Sequence, residues 1–466
     1  MRNQRFNEPT TPKPQLILTA LHVSHIQSSI ICAKSHTLQM RIRSGGHDFE
    51  GVSYVSNEPF FILDMFNLRK IDVNVDDETA WVETGATLGE LYYRIAEQSN
   101  VHTFPAGTSP TVGVGGLISG GGFGNLMRKY GLAVDNVIDA KLVDANGRLL
   151  DRESMGEDLF WAITGGGGSS FGVVLSYKIK LVKVPAKVTF AGIRITNNYN
   201  KNLTDIVYKY LQVVDKLHND LYVKLVLDVV EKKIRGTFLV LFLGGSEVAL
   251  DIMKENFPEL GLTKADCVEV SYVDSIVLWD FPRGTPTSVL LNRIYPNPIR
   301  MKRTSDFVKD PISKKGIKFL FKKLMELNTL VLKLDPFGGI MNEISPSAKP
   351  FPHRAGNIVL IEIATNWKET GPEAANYYIN LTRKMYEYLT PFVSTSREAY
   401  LNYRDFDLGT INNNGEDSYS VAAKTYGLKY FMNNFEKLVE IKSKVDPENF
   451  FRNEQSIPLP TSIAML

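Results

Sequence analysis

Arg41-Ile42-Arg43-Ser44-Gly45-Gly46-His47-Asp48-Phe49-Glu50-Gly51 is the first of two glycine-rich stretches that carry most of the information in this chain. A second stretch begins with Phe104-Pro105-Ala106-Gly107-Thr108-Ser109-Pro110 and continues through Gly113, Gly115, Gly116, Gly120, Gly121, Gly122 and Gly124. Glycine lets backbone N–H groups approach an anionic group closely. Neither stretch has the Gly-Lys-Ser/Thr ending of a P-loop or the G-x-G-x-x-G of a Rossmann unit. The two stretches therefore predict a cofactor with a pyrophosphate, held by another kind of fold.

Length and composition describe a globular protein of several domains. The chain has 466 residues, more than one hydrophobic core normally serves, so two or three domains are expected. Its formal charge of +2 argues against nucleic acid or an acidic membrane as the main partner. No apolar run reaches the roughly 18 residues that a membrane span needs, and the apolar run 238–243 suits a buried strand.

Local patterns divide the chain into three parts. Over 12–182 short strands alternate with helices; Thr87 and Glu90 predict a capping box, and Asn146-Gly147 predicts a hairpin turn. Over 187–404 strand-like alternation precedes helix-like stretches; the predicted strands are 223–230 and 235–243, and the predicted helices are 317–327 and 374–388. Over 405–466 a helical face is predicted, which Pro447 ends and which contains Phe435, Leu438 and Val439.

Ordered motifs along nearly the whole chain resemble the plant berberine-bridge-enzyme-like oxidases, a branch of the vanillyl-alcohol-oxidase type of FAD flavoproteins. Beside the two glycine stretches, the motifs are Gly156-Glu157-Asp158-Leu159-Phe160-Trp161, Gly165 to Gly168, Phe351-Pro352-His353-Arg354-Ala355-Gly356, Tyr400-Leu401-Asn402-Tyr403-Arg404-Asp405 and Asp446-Pro447-Glu448-Asn449-Phe450-Phe451-Arg452-Asn453-Glu454-Gln455-Ser456-Ile457-Pro458.

The resemblance implies an α+β fold. It consists of a two-part FAD-binding domain of the vanillyl-alcohol-oxidase (PCMH) type at 12–182 and a substrate domain at 187–404 with a large antiparallel sheet covered by helices. The segment 405–466 returns to the FAD domain. A monomer that binds a small phenolic molecule is expected, with no metal.

The resemblance also implies the residues that hold FAD. His47 is the covalent anchor, one imidazole nitrogen bonded to the flavin; alternatively it only hydrogen-bonds in a turn. The implied cofactor-binding residues are Arg43, Ser44, Gly45, Gly46, His47, Asp48, Ser53, Ser109, Val112, Gly115, Gly116, Gly120, Gly121, Gly122, Gly124, Asn125, Gly168, Gly172, Val174 and Asn449.

Three residues depart from the family pattern beside the flavin. Ser109 replaces the cysteine that forms a thioether in relatives, and a hydroxyl is far less nucleophilic than a thiolate. One covalent link through His47, or none, is therefore expected. Leu117 replaces a frequent histidine, and Phe49 replaces a tyrosine. Val112 resembles the small residue that admits oxygen in the family; alternatively it only packs.

Tyr403 and Glu362 are the candidate acid–base pair. Tyr403 matches the family tyrosine that deprotonates a substrate hydroxyl, which near neutral pH requires a pKa lowered from about 10. If both lie on a strand, Arg404 points away from Tyr403. Glu362 stands among apolar residues, where an unpaired carboxylate is costly to bury, and the resemblance turns it toward the flavin; on an exposed face it would mean nothing.

The resemblance implies the secretory route, and the sequons Asn202-Leu203-Thr204 and Asn380-Leu381-Thr382 are consistent with it. No signal peptide is visible, and the chain opens inside the family domain, which suggests a longer precursor. Cys32 stands where relatives form a disulfide to an upstream cysteine; Cys267 is expected to be a buried free thiol.

Three functions stay open. The first is an FAD-dependent oxidoreductase that oxidises a phenolic or hydroxylated molecule, in some cases with ring closure, and is reoxidised by O2 to give H2O2. The second is a redox-neutral cyclase of the Diels–Alder type that keeps FAD as a wall and orients its substrate. The third is a flavin-binding protein without activity, against which Tyr403 and Glu362 argue.

Overall fold

The structure is a computed structural model that describes residues 3–196, 202–294, 298–411 and 418–460. Within these ranges no helix is both long enough and apolar enough to cross a membrane.

The first part of the chain carries three small sheets. Its strands are β1 Ile17–Thr19, β2 Gln39–Arg43, β3 Phe60–Asp64, β4 Ile71–Asn74, β5 Thr79–Glu83, β6 His102–Thr103, β7 Val137–Val143, β8 Leu149–Leu150, β9 Val173–Lys180 and β10 Val182–Lys183. Strands β1, β3 and β2 pair in parallel. An antiparallel sheet has the order β4-β5-β9-β7-β8, and β6 pairs with β10.

Helices join these strands, namely α1 Val23–Ser35, α2 Leu88–Gln98, α3 Val114–Ser119, α4 Met127–Tyr130 and α5 Arg152–Ile163. The predicted capping box is confirmed, because the Thr87 side chain accepts from the Glu90 N–H and Glu90 accepts from the Thr87 N–H. The predicted hairpin is confirmed too: β7 pairs with β8, and Gly147 takes a φ of 74° between them.

A seven-stranded sheet dominates the second part. Its strands are β11 Val188–Thr196, β12 Leu221–Val230, β13 Lys233–Phe242, β14 Cys267–Val270, β15 Arg300–Val308, β16 Leu330–Pro336 and β17 Val359–Trp367. The order is β14-β11-β13-β12-β16-β17-β15, with antiparallel neighbours. The helices of this part are α6 Leu203–Val213, α7 Ser246–Asn256, α8 Tyr272–Asp280, α9 Lys314–Leu327 and α10 Pro372–Tyr388. The predicted strands and helices of this part are confirmed.

Alternation along the strands gives the large sheet two different faces. Apolar residues on one face pack with the helices in a single core. Examples are Leu225 on β12, Leu332 on β16 and Ile361 on β17. Their strand neighbours Lys333 and Glu362 point to the opposite face, which looks toward the first part of the chain. The sheet therefore carries its core on one side and a polar wall on the other.

The tail packs on the first part of the chain. Its helices are α11 Ser418–Ala422, α12 Leu428–Phe431 and α13 Phe435–Val445, and α13 contacts α5. The predicted helical face is confirmed, since Phe435, Leu438 and Val439 are buried. The exact domain limits at 182, 187 and 404 stay predictions.

Both cysteines are free thiols. Cys32 is exposed on α1. Cys267 is a free thiol, as expected, but it is only half-buried at the edge strand β14, so the expectation that it is buried is wrong.

Candidate active site

The two glycine stretches contact each other backbone to backbone. A Cβ added to Gly45 would lie 2.3 Å from the Gly113 nitrogen, and one added to Gly113 would lie 2.1 Å from Ser44 Oγ. Ser44 Oγ also donates to the Thr84 carbonyl at 2.5 Å. Any larger side chain at these two positions would push the stretches apart, so glycine is required here for close approach.

A cavity of about 620 Å³ opens between the glycine stretches and the polar wall of the large sheet. Most of the site residues predicted from the sequence line this cavity. They are Ser44, Gly45, Gly46, His47, Asp48, Ser53, Ser109, Val112, Gly115, Gly116, Gly120, Gly124, Asn125, Gly172, Val174, Glu362 and Tyr403. Segments far apart in the chain thus meet around one space.

Five of the expected cofactor residues do not line this cavity. Arg43 donates to Asp64, with Nη2 2.5 Å from Oδ2. The Gly122 N–H donates to the Tyr400 hydroxyl at 3.0 Å. The remaining three are Gly121, Gly168 and Asn449, and Gly168 lies between two lining residues, Gly167 and Ser169. Their contact with a cofactor stays a prediction.

The His47-Asp48 pair is held by residues from two distant parts of the chain. His47 Nε2 lies 3.0 Å from Thr111 Oγ1 on the second glycine stretch. Asp48 accepts from the N–H groups of Glu50 and Val52 and from Arg404 Nε at 3.1 Å. Arg404 leaves a 3₁₀ turn at Leu401–Tyr403 rather than a strand, so the premise of strand alternation at this point is wrong.

The three departures from the family pattern lie together in the cavity wall. Ser109, Leu117 and Phe49 all line it, as does Val112. The Phe49 ring centroid is 6.0 Å from that of Tyr403. The cavity therefore has carbon surface or a hydroxyl where the resemblance would place imidazole, phenol and thiol groups.

Glu362 is buried on β17 and paired with two cations. Lys333 Nζ lies 3.1 Å from each Glu362 oxygen, and Arg303 Nε lies 2.8 Å from Oε1. Burial by itself raises the pKa of a carboxyl group, but the charges of Lys333 and Arg303 outweigh it and lower the pKa of Glu362 to about 2. Glu362 is thus an ionised hydrogen-bond acceptor at neutral pH.

Tyr403 has a pKa opposite to the expected direction. Burial raises the pKa of its hydroxyl well above the ordinary value, and the charge of Glu362, to which it hydrogen-bonds, raises it further. Its ring packs edge-on against Tyr400, with centroids 5.3 Å apart, and against Phe123 at 5.9 Å. At neutral pH the Tyr403 hydroxyl is therefore uncharged, and aromatic rings surround the side chain.

Sequence reasoning missed the polar residues of the neighbouring strands. Lys224, Lys333, Arg303, Asp335 and Tyr222 also line the cavity. Tyr222 donates to Asp335 Oδ1 at 2.5 Å, and Lys224 Nζ lies 2.9 Å from the same oxygen. The sequence does contain a pattern that could have indicated most of them. Except for Arg303, each is a polar residue that alternates with apolar ones along a strand, as Glu362 does. No three His, Cys, Asp or Glu side chains among the described residues form a group that could hold a metal.

The cavity suits a cofactor with a long polar body. Ser53 Oγ and Asn125 Nδ2 are buried in its wall without a hydrogen-bond partner among the described residues. A Cβ on Gly116 would meet nothing within 4 Å. Polar groups that need partners and a backbone open to approach are what FAD requires of a site.

Fold and site together define an FAD-binding flavoprotein, and comparison with known proteins agrees. Residues 14–152 match the family model of an FAD binding domain, and residues 399–458 match the family model "Berberine and berberine like". Berberine bridge enzyme-like 8 of Arabidopsis thaliana is 52% identical over 98% of this chain and 88% of its own length. The chain belongs to the berberine bridge enzyme-like family of FAD-dependent oxidoreductases.

Solved structures show the same fold. The berberine bridge enzyme of Eschscholzia californica has a TM-score of 0.95 and 38% identity, covering 99% of this chain and 93% of that one. A variant of berberine bridge enzyme has been solved with (S)-reticuline bound. The grass pollen allergen Phl p 4, with glucose dehydrogenase activity, has a TM-score of 0.94 and 41% identity, covering 99% of this chain and 94% of that one. The α+β fold with its large antiparallel sheet is thereby confirmed.

Proposed function

We propose that this protein oxidises a phenolic or hydroxylated small molecule with FAD as its cofactor. The observation that carries the proposal is the meeting of Tyr403 and Glu362 in one cavity with the glycine stretches. The compounds of two relatives, (S)-reticuline and glucose, both carry hydroxyl groups. FAD held by the residues on the glycine side of the cavity would supply an acceptor for a hydride from the substrate, and O2 would take up the electrons to give H2O2.

In this proposal Tyr403 takes the proton of the substrate hydroxyl. Because its own pKa is raised, only a small fraction of Tyr403 is ionised at neutral pH, and that fraction grows as the pH rises. Glu362 stays ionised and orients the Tyr403 hydroxyl. The aromatic residues around Tyr403 exclude water from the reacting oxygen.

The residues that would hold FAD are those that line the glycine side of the cavity. We propose one covalent link through His47 or none, because Ser109 does not supply a thioether. Acid precipitation of the purified protein tests this: FAD that stays with the pellet supports the His47 link, and FAD that leaves with the supernatant excludes any link.

A redox-neutral cyclase is the second candidate. The observation that favours it is that Ser109, Leu117 and Phe49 all line the cavity, so the wall lacks three reactive or polar groups. Such a cavity would orient two reacting parts of one molecule, an entropic contribution that needs no hydride transfer.

Anaerobic incubation with a panel of plant phenolics distinguishes the two. Loss of flavin absorbance with one substrate class, restored by air, supports the oxidoreductase. Product formed at the same rate with the flavin unbleached and oxygen removed supports the cyclase. Bound FAD without any reaction contradicts both and leaves a flavin-binding protein.

We also propose a secreted monomer divided at 12–182, 187–404 and 405–466. Both sequon asparagines are exposed, Asn202 before α6 and Asn380 on α10, which leaves them open to a glycosyltransferase. Peptide mass mapping of the protein from plant tissue would show glycans at these two sites.

A further inference from the structure

The sheet side of the cavity presents two lysine ammonium groups, each backed by a buried carboxylate. Lys333 lies against Glu362 on the adjacent strand, and Lys224 Nζ is 2.9 Å from Asp335 Oδ1. The two lysine side chains are 30% and 18% exposed, whereas the carboxylate side chains are 3% and 1% exposed. A molecule in the cavity therefore meets the ammonium groups and not the carboxylates.

The carboxylates fix the lysines without using all their donors. An ammonium group carries three N–H donors. Asp335 accepts from Lys224 and also from the Tyr222 hydroxyl, which holds the carboxylate in place. Lysine heads that are already oriented lose less rotamer freedom when a ligand binds. This wall is thus prepared to donate hydrogen bonds to an acceptor group.

The charges on this wall favour an anionic acceptor. Lys224, Lys333 and Arg303 face two buried carboxylates, Glu362 and Asp335, so the positive charge of this inner set exceeds its negative charge by one before the exposed Asp280 beside Lys224 is counted. Burial lowers the pKa of Lys333; the charge of Glu362 opposes this, and the neighbouring charges of Arg303 and Lys224 add to the lowering. An anion beside these groups would reduce their mutual repulsion.

One further carboxylate, Asp280, lies at the edge of the cavity at the end of α8. It is exposed, and water and salt screen exposed charges. It therefore offsets the positive charge near Lys224 less than a buried carboxylate would.

We infer that Lys224 and Lys333 form a subsite for a carboxylate group of the substrate, so that the substrate class is a hydroxylated aromatic acid. This inference rests on the proposed function for the position of the substrate, with its hydroxyl at Tyr403. Carbon surface for the ring comes from Trp279, Val226 and Leu239, which line the same side of the cavity.

Calorimetric titration of the purified FAD-containing protein tests the subsite without turnover. The probes are 4-methoxycinnamate and its methyl ester, which have the same ring and no hydroxyl to oxidise. A hydrogen bond to a charged group supports a preference of roughly tenfold or more for the acid over the ester. Equal dissociation constants for the two probes would overturn the inference.

Two variants locate the preference. Lys333→Met removes one ammonium while Arg303 still pairs with Glu362 at 2.8 Å, and the double variant Lys224→Met with Asp335→Asn removes the other pair without leaving a buried charge. Each should lose most of the preference for the acid. The matched control is Lys233→Met, an exposed lysine at the start of β13 that does not line the cavity, and it should keep the preference.

Flavin content and the visible spectrum of each variant show whether it has folded. If one variant fails to fold, the other variant and the comparison of acid with ester in the unmodified protein still test the subsite. An unchanged preference in both folded variants would overturn the inference. Failure of the proposed function has a different result: no phenolic bleaches the flavin, although acid binding through the lysines persists.

Discussion

The ionisation of Tyr403 depends on Glu362, and that of Glu362 depends on the cations beside it. Lys333 and Arg303 keep Glu362 ionised, and the charge of Glu362 in turn raises the pKa of Tyr403. A proton relay from Tyr403 to Glu362 is therefore unfavourable, since a carboxyl group with a pKa of about 2 is a weak base. The role that remains for Glu362 is to orient the tyrosine hydroxyl.

Tyr403→Phe should slow flavin reduction by a phenolic substrate roughly 10²- to 10⁴-fold, the usual contribution of a positioned base. In the unmodified protein the rate should rise with pH without levelling off below about pH 10, because the pKa of Tyr403 lies above its ordinary value. Anaerobic stopped-flow absorbance over a pH series measures both effects.

The control for this substitution is Tyr377→Phe, since Tyr377 is 59% exposed on α10. It should leave the rate unchanged. A rate within twofold of the unmodified protein for Tyr403→Phe would exclude tyrosine as the base.

Glu362→Gln should reduce the free energy of unfolding by roughly 3 kcal/mol at pH 7, because it breaks a buried ion pair on one side. The folded-state pKa of about 2 lies below the ordinary 4.5. The stabilisation from Glu362 is therefore complete above pH 4.5 and is lost as the pH falls toward 2. The difference in free energy of unfolding between the unmodified protein and Glu362→Gln should therefore shrink between pH 4.5 and pH 2.

Urea unfolding at several pH values measures this difference. Glu247→Gln is the matched control, because the Glu247 side chain is 84% exposed, and its effect should be small at every pH. A difference for Glu362→Gln that stays constant from pH 7 to pH 3 would contradict the assigned pKa.

At the scale of elements, the contact between the two glycine stretches builds the cofactor side of the cavity. Gly45→Ala would place a methyl group 2.3 Å from the Gly113 nitrogen, and backbone atoms on both sides have little room to move. The expected result is loss of bound FAD together with a lower melting temperature.

The ratio of flavin to protein absorbance and a thermal scan measure the two effects. Gly192→Ala on β11 is the control, since its nearest contact would be 3.6 Å from a leucine side chain. Full FAD content in Gly45→Ala would show that the two stretches do not need this close approach.

The large sheet brings its polar residues together by register rather than by sequence proximity. Lys333 on β16 pairs in register with Glu362 on β17, and Val226 on β12 pairs with Lys333. Because side chains directly opposite on one face lie close together, the register decides which lysine meets which carboxylate. The two-residue alternation of each strand decides only which face they share.

At the scale of the whole molecule, Arg128 joins the cofactor part to the large sheet. It extends from α4 and donates to backbone carbonyls of the second part, at 2.9 Å to Val214, 2.6 Å to Leu217 and 3.1 Å to Leu221, and also to Phe337. Arg128 is buried, and burial lowers its pKa to about 10. One guanidinium thus satisfies several carbonyls at the junction that encloses the cavity.

Arg128→Met should reduce the free energy of unfolding by about 3 kcal/mol or more, since it leaves buried carbonyls without donors. Arg128→Lys should recover only part of this, because an ammonium group has three donors and a guanidinium has five. Chemical denaturation followed by flavin and tryptophan fluorescence measures the loss. A free energy of unfolding for Arg128→Met within 1 kcal/mol of that of the unmodified protein would show that other contacts hold the junction.

The glycine stretches, the capping box at Thr87 and the alternating strands at 223–230 and 235–243 were predictable from the sequence, because glycine density, capping and alternation are local properties of the chain. The family and its FAD followed from motifs in order along the chain. One carboxylate among apolar neighbours made Glu362 a candidate, and the family resemblance turned it toward the cavity that it lines.

The electrostatics of the site depend on how the sheet folds. The direction of the Tyr403 pKa depends on burial and on Glu362, and the ionisation of Glu362 depends on Lys333 and Arg303 from two other strands. Strand pairing sets these contacts between residues that are distant in the chain, and local patterns contain no information on that pairing. The family, the cofactor and the candidate residues can therefore be predicted from the sequence, whereas the pairing of strands in the folded sheet sets which charges surround those residues.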